Sequence, residues 1–192
     1  MAACARMGIC MVVSAFSSIS IEDVAKATDG GLRWFQLYVV RDMEVNKELI
    51  LRAEKAGCKA ITITVDTPAT GKRTRSVERT KLPKGELTHF PPDYFQAGAG
   101  VTQELSDQTR IQAIDKQLAN VTWVTVDWFR SITQLPILLK GILTAEDALE
   151  ALKHDIQGII VSNHGGRQLD GVPATVSVVV SSPVCTRWSL LL

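Results

Sequence analysis

The feature of this chain that most constrains its fold is an alternation of short apolar runs with helical patterns. Five runs have the length and β-branched composition of buried strands, at residues 10–14, 35–39, 60–65, 137–140 and 158–162. Strands that alternate with helices pair in parallel through crossover connections. The sequence therefore predicts an α/β fold built on one parallel sheet.

The segments between these runs carry helix signals. Leu49, Ala53 and Ala56 form an apolar face, with Asn46 predicted to cap its start and Gly57 to end it in the left-handed region. Two further helix starts are predicted where a hydroxyl residue precedes an acidic residue by three positions, at Ser20 with Asp23 and at Thr144 with Asp147. The helix that begins after Thr144 is predicted to bury a stripe of Ala148, Leu149, Ala151 and Leu152.

Polar residues cluster where the predicted strands end. They are Ser14, Gln36, Tyr38, Thr64, Lys140, Ser162 and His164. A doubly wound sheet gathers its ligand near one switch point, whereas a β/α barrel collects residues from many strand ends at one face. Five contributing strand ends favour the barrel.

One strand end carries chemistry of its own. Residues 158–170 read Gly-Ile-Ile-Val-Ser-Asn-His-Gly-Gly-Arg-Gln-Leu-Asp, so a buried strand ends in a histidine and an arginine three residues apart. His164 can act as a base near neutral pH, and Arg167 can clamp a carboxylate through two hydrogen bonds. The alternative is a surface loop with an incidental histidine.

The pattern Ser-Asn-His-Gly-x-Arg-Gln-Leu-Asp resembles the active-site signature of the FMN-dependent 2-hydroxy acid oxidases, the glycolate oxidase family. Four further segments resemble the family in the same order: Trp-Phe-Gln-Leu-Tyr at 34–38, Thr-Val-Asp-Thr-Pro at 64–68, Gly-Lys-Arg at 71–73 and Leu-Pro-Ile-Leu-Leu-Lys-Gly at 135–141. The likeness runs from about residue 2 to about residue 175 and implies oxidation of (S)-2-hydroxy acids to 2-oxo acids, with oxygen as acceptor and hydrogen peroxide as product.

The resemblance implies a role for each matching residue. His164 is the expected base, Arg167 and Arg73 the expected carboxylate ligands, and Tyr38 a hydrogen-bond donor to the substrate oxygen. The expected contacts to the flavin are Gln36, Thr64 and Ser162 with the isoalloxazine ring, Ser14 against it, and Lys140 at the N1–C2 carbonyl edge, where reduced flavin gathers negative charge.

A cofactor is required because no side chain accepts a hydride. No Gly-x-Gly-x-x-Gly segment follows a predicted strand, which argues against a dinucleotide of the usual kind. The resemblance implies FMN. Phe16 stands where short-chain members of the family have tryptophan, and it resembles the long-chain hydroxyacid oxidase branch, which acts on longer aliphatic substrates.

Family members are nearly twice as long as these 192 residues. The resemblance therefore predicts a partial (β/α)8 barrel with strands two to six, without strands one, seven and eight or the later Asp-Gly-Gly-x-Arg and Gly-Arg segments that bind the FMN phosphate. The expected domain covers residues 1–175, and residues 176–192 form a tail outside the family, with 176–180 of strand composition. We expect weak FMN binding and impaired activity from the isolated chain.

Two other functions stay open. One is a catalytically inactive fragment or isoform that acts only by association. The other is a flavin-dependent lactate dehydrogenase with an acceptor other than oxygen. The same resemblance implies a small 2-hydroxy acid as substrate and a homo-oligomer as a plausible assembly.

Composition excludes several classes of partner. The net charge of +1 gives no reason to expect nucleic acid, and no run approaches the ~20 apolar residues of a membrane helix. The four cysteines lack metal or redox spacing, so no metal is predicted and reduced thiols are expected. The family is commonly peroxisomal, but the final Leu-Leu-Leu is not a Ser-Lys-Leu address, which leaves a cytoplasmic location open.

The connection at 75–120 is the least regular part of the chain. Its prolines and glycines predict an extended loop, followed by a helical stretch around 103–118. His89, within it, and His154 match no motif and are predicted to be surface residues.

Overall fold

The computed structural model describes residues 2–28, 30–71, 87–91, 94–95 and 107–181. Strands and helices alternate over most of this length. The elements are α1 Ala2–Arg6, β1 Met11–Ser14, α2 Ile21–Ala27, β2 Arg33–Tyr38, α3 Met43–Lys55, β3 Ile61–Thr64, α4 Asp107–Gln117, α5 Trp123–Ile132, β4 Ile137–Ile142, α6 Ala145–Lys153, β5 Gly158–Val161 and α7 Thr175–Ser181.

The five strands form one parallel sheet in the order β1-β2-β3-β4-β5, so each strand pairs with its neighbours in sequence. This confirms the predicted parallel α/β sheet and all five strands, with end residues shifted by one or two positions. Within the described residues, β1 and β5 are the edge strands. A sheet that never reverses its order has the topology of a barrel arc.

The two faces of the sheet differ in chemistry because side chains alternate along a strand. One face is apolar and is covered by helices: Val13, Phe35, Leu37, Ile61, Ile63, Leu139 and Ile159 are all buried in a core shared with α3, α5 and α6. The opposite face carries Ser14, Gln36, Tyr38, Thr62, Thr64 and Lys140 at register positions that neighbour one another. Polar residues at the strand ends therefore share one side of the sheet.

Helix starts follow the predicted chemistry at two of three positions. Ser20 and Thr144 cap α2 and α6 by accepting from the backbone N–H of the acidic residue three positions on. The prediction that Asn46 caps α3 was wrong, because Asp42 takes that place and accepts from two backbone N–H groups. Asn46 is fully buried, and its side-chain amide instead bonds both the N–H and the carbonyl of Val40.

The stripe predicted for α6 is only half buried. Ala148 and Ala151 are buried, but Leu149 and Leu152 are 45% and 38% exposed. The helix turns its alanines to the sheet, since small residues allow a close approach, and the two leucines lie on its outer side.

Residues 176–180 have the composition of a strand, but they do not form one. They belong to α7, whose first turn is built on the carbonyl of Ala174, which accepts from Ser177 and Val178. The segment follows β5 at the position where the βα alternation requires a helix, and that context overrides the strand preference of its valines.

Of the two histidines predicted to be surface residues, His89 is buried and His154 is half-buried. His89 is 3% exposed. The His154 side chain is 17% exposed, stacks on Trp123 with ring centroids 4.7 Å apart, and pairs with Asp127. Both have partners distant in sequence, which a local pattern does not reveal.

The described part of the chain contains no helix long and apolar enough to cross a membrane. Among those same residues, no group of three or more His, Cys, Asp or Glu side chains is arranged to hold a metal ion.

Candidate functional site

The predicted flavin contacts meet on the polar face of the sheet. Ser14 lies beside Gln36 in the β1–β2 register, Tyr38 beside Thr64, and Thr64 beside Lys140. These positions lie at the carboxyl ends of their strands, and Ser162 follows directly after β5. The structure thus brings together residues from all five strands.

Buried hydrogen-bonding groups line this face. The amide nitrogen of Gln36 donates to the hydroxyl of Thr64 over 2.8 Å, and both side chains are buried. The neighbouring Thr62 is fully buried, and its hydroxyl has no hydrogen-bond partner among the described residues. A buried polar atom without a partner is costly, so the face has capacity for a polar ligand.

The donor set fits an isoalloxazine ring. A primary amide, hydroxyls and an ammonium offer donors and acceptors of the kind that ring carbonyls and a ring N–H require. Gln36, Thr64, Ser162 and Lys140 would hold the ring, which when bound accepts two electrons from a substrate. Lys140 is partly buried, with its side chain 26% exposed.

His164 lies three residues beyond β5 and is 4% exposed. Its backbone has a φ of +58°, and its N–H donates to the hydroxyl of Ser162 over 3.1 Å. The ring Nδ1 lies 2.8 Å from Oδ1 of Asp66. Nδ1–H donation to the carboxylate fixes the tautomer and leaves Nε2 as the proton acceptor.

Asp66 is a candidate site residue that the sequence patterns did not single out. Its Oδ2 lies 3.7 Å from Nζ of Lys140, so the carboxylate lies between a buried histidine and an ammonium. The hydroxyl of Thr67 donates to Oδ1 over 3.2 Å and also lies 3.3 Å from Nδ1 of His164. An acidic residue two positions past Thr64, at a strand's carboxyl end, was the available signal.

Gly141 makes room for Asp66. It has a φ of +114°, and a Cβ added there would lie 2.5 Å from the Asp66 Cβ and 2.9 Å from its backbone nitrogen. The β4–β5 register shifts between Lys140 and Ile142 at this point. Only glycine meets both the backbone and the space requirement.

Tyr38 borders the acceptor side of the histidine. Its hydroxyl lies 3.4 Å from Nε2 of His164. Its ring stacks on Phe16 with centroids 4.8 Å apart and planes 11° apart. A substrate hydroxyl near Nε2 would therefore also be within reach of the phenol.

The two predicted carboxylate ligands stand differently. Arg167 is exposed on the loop after β5, and its Nε donates to the carbonyl of His164 over 2.9 Å. Arg73 lies outside the described residues. Two residues before it, however, Gly71 approaches so closely that a Cβ there would overlap the carbonyl oxygen of Arg167. Gly71 therefore lies against the Arg167 loop.

Known proteins resemble this chain in sequence and in fold. The sequence model of the FMN-dependent dehydrogenase family matches residues 1–184. The human protein 2-hydroxyacid oxidase 1 is 44% identical over 187 residues, covering 92% of this chain and 48% of the relative. Human 2-hydroxyacid oxidase 2 is 46% identical over 172 residues, covering 90% of this chain and 46% of the relative.

Solved structures give the same result. A mandelate oxidase with (S)-4-hydroxymandelic acid superposes with a TM-score of 0.78 at 38% identity, covering 93% of this chain and 51% of that chain. A mandelate oxidase variant with the C4a-OH-FMN adduct has a TM-score of 0.72 at 36% identity, covering 93% and 49%. The chain thus spans about half the length of the relatives it matches. The predicted family, the α/β barrel class and FMN as the family's cofactor are confirmed.

Proposed function

We propose, from the premise that this chain belongs to the FMN-dependent dehydrogenase family, that it supplies the base and the flavin-ring contacts for oxidising (S)-2-hydroxy acids to 2-oxo acids. The observation that carries the proposal is the buried His164–Asp66 pair, 2.8 Å apart, at the end of the polar face of the sheet. Bound FMN would accept the two electrons, and oxygen would then take them from the flavin to give hydrogen peroxide.

His164 takes the substrate hydroxyl proton at Nε2. The imidazolium that results is stabilised by Asp66, whose carboxylate accepts from Nδ1. Because both groups are almost enclosed, this attraction is screened far less than a surface ion pair. Tyr38 orients the substrate oxygen toward Nε2.

The remaining residues bind and orient. Arg167 and Arg73 hold the substrate carboxylate through guanidinium forks. Lys140 would place a fixed positive charge beside the FMN ring, and Asp66 holds that ammonium in place at 3.7 Å. Gln36, Thr64 and Ser162 would hold the FMN ring, and Ser14 would lie against it.

The test is a chimera in which this chain replaces the matching half of human 2-hydroxyacid oxidase 1. We expect a yellow protein that converts a 2-hydroxy acid to its 2-oxo acid and forms peroxide in air. His164→Gln should lower turnover by roughly 100- to 10,000-fold, the loss expected for a general base. The matched control is His154→Gln, which also removes a carboxylate-paired histidine but lies outside the site.

Retention of turnover in His164→Gln would contradict the role of the base. A chimera that reduces its flavin with substrate but reacts slowly with oxygen would instead be a dehydrogenase with another acceptor. Peroxide formation therefore decides between the two family chemistries.

A second function is association without catalysis. It is favoured by the two edge strands of the described sheet, β1 and β5, each of which pairs on one side only. Either another copy of the chain or a longer relative could add a strand at these edges. Sedimentation of the 192-residue chain, alone and with the human relative, distinguishes a homo-oligomer from a mixed assembly. The peroxisomal location implied by the family is likewise part of the proposal.

A further inference from the structure

His89 has a defined hydrogen-bonding pattern on both sides of its ring. Nε2 lies 2.8 Å from the backbone nitrogen of Ile21, and Nδ1 lies 3.0 Å from the carbonyl oxygen of Ala15. The first partner can only donate and the second can only accept. The ring is therefore neutral, with its proton on Nδ1 and a lone pair on Nε2.

Both partners belong to one short connection of the barrel. Ala15 follows the last residue of β1, and Ile21 is the first residue of α2. Ile21 contributes one of the N–H groups that no carbonyl of its own helix can accept. His89 lies 68 positions from Ile21 and 74 from Ala15 in the sequence, and it thus fastens residues 87–91 to the connection between β1 and α2.

A second tie fixes the backbone of the same segment. Arg52 of α3 donates to the carbonyl of His89 over 2.9 Å. Its guanidinium also pairs with Glu22 of α2 through two bonds of 2.9 and 3.1 Å. The rings of Phe35 in β2 and His89 pack edge to face, with centroids 5.4 Å apart. Arg52 and Glu22 are thus the charged groups near His89 among the residues described.

An aromatic wall leads from this anchor to the candidate site. We define the wall as Phe16, Phe90, Tyr94 and Phe95. Phe90 is 7% exposed and lies 5.5 Å from Phe16 and 4.7 Å from Phe95, measured between ring centroids. Phe16 then stacks on Tyr38, whose hydroxyl reaches His164. The residue next to His89 is therefore two ring contacts away from the Tyr38–His164 pair.

We propose that His89 is a positioning residue whose neutral ring anchors residues 87–91 and the aromatic wall beside the site, and whose protonation releases them. The contact of the wall with a substrate side chain rests on the proposed function. The anchoring of residues 87–91 by His89 does not.

The geometry sets the direction of the pH effect. A proton on Nε2 would point at the N–H of Ile21, so one hydrogen bond is lost and a charge is buried beside Arg52. Burial holds the pKa of His89 below its ordinary value of 6.5. The hydrogen bond to Ala15 and the carboxylate of Glu22 oppose this shift, and the guanidinium of Arg52 adds to it. The released histidine titrates near 6.5. The equilibrium constant for anchoring residues 87–91 is therefore at its full value above that pH. It falls by up to about tenfold per pH unit below it, until the anchored ring itself is protonated.

The experiment uses NMR on the full 192-residue chain with labelled histidine and phenylalanine, from about pH 7.5 to about pH 4.5. At the upper pH we expect the Nδ1–H tautomer for His89 and cross-ring contacts between Phe16 and Phe90. As His89 gains its proton, these contacts should disappear with the same midpoint. The Trp128–Phe129 pair in α5, at 5.0 Å, is the internal control and should persist.

Two variants sharpen the test. His89→Gln keeps an acceptor but cannot titrate in this range, so its Phe16–Phe90 contact should no longer change with pH. His154→Gln should retain the wild-type pH profile. Persistence of the Phe16–Phe90 contact after His89 is protonated would overturn the proposal, as would an unchanged pH profile in His89→Gln. The wild-type titration decides by itself if a variant does not fold.

Discussion

Gly141→Ala should be among the most destabilising single methyl additions to this chain. The residue follows Lys140 in β4 and has a φ of +114°, where a side chain is rarely tolerated. Forcing that backbone on alanine costs about 1–3 kcal/mol. The new methyl would also lie 2.5 Å from the Cβ of Asp66, and overpacking of this kind costs about 1–3 kcal/mol more. The free energy of unfolding should therefore fall by about 2–6 kcal/mol.

The matched control is Gly171→Ala. Gly171 also has a positive φ, of +77°, but a Cβ there would meet no atom of the described residues within 4 Å. Its cost is the backbone term alone, about 1–2 kcal/mol. Urea unfolding at constant slope measures both losses. Equal losses in the two variants would refute the reasoning, because they would mean that Asp66 does not pack against Gly141.

Three further predictions address the site and its support. In the chimera, Asp66→Asn should lower turnover and leave substrate binding nearly unchanged, because the carboxylate stabilises a charge that forms on His164 only during the reaction. A change confined to the Michaelis constant would argue against this role. Arg167→Lys should raise the Michaelis constant although charge is kept, since the two-pronged fork is lost; unchanged kinetics would remove Arg167 from the clamp. Hydrogen bonding to Arg52 lowers the pKa of Glu22 from 4.5 to about 2, so this pair stabilises the fold above about pH 4.5, and the contribution is lost as the pH falls through about 2. Because the Glu22 side chain is 41% exposed, the pair should contribute no more than about 1 kcal/mol to the free energy of unfolding. The urea midpoints of wild type and Arg52→Met should differ less at about pH 3 than at about pH 6. A difference that is the same at both pH values would contradict the assignment.

Much of the sheet could be predicted because its signals are local. A buried strand shows as an apolar run, and the polar residues that end it show as a break in that run. The register that places Thr64 beside Lys140 follows once the strands are parallel and in sequence order. The roles of the polar residues, by contrast, came from family resemblance and not from periodicity.

The missed features depend on contacts across the fold. The role proposed for Asp66 depends on its contact with His164, which is 98 positions away in the sequence, and no spacing rule connects the two residues. His89 is isolated in an irregular segment, and only the structure shows that β1 and α2 enclose it. Asn46 satisfies the sequence rules for a helix cap, but its side-chain amide instead bonds the backbone N–H and carbonyl of Val40. At residues 176–180 the position after β5 overrides strand preference.

The most direct test of the central claim is to titrate the 192-residue chain with FMN and, separately, with riboflavin, which lacks the phosphate. The proposed ring contacts lie in this chain, but no Asp-Gly-Gly-x-Arg segment follows His164, where the resembled family carries the one that binds the FMN phosphate; the string of that pattern at residues 29–33 lies far earlier in the chain. Both flavins should therefore bind weakly and with similar affinity, and Lys140→Met together with Gln36→Leu should weaken both equally. Much tighter binding of FMN than of riboflavin would contradict the account, and so would a chain that binds neither flavin.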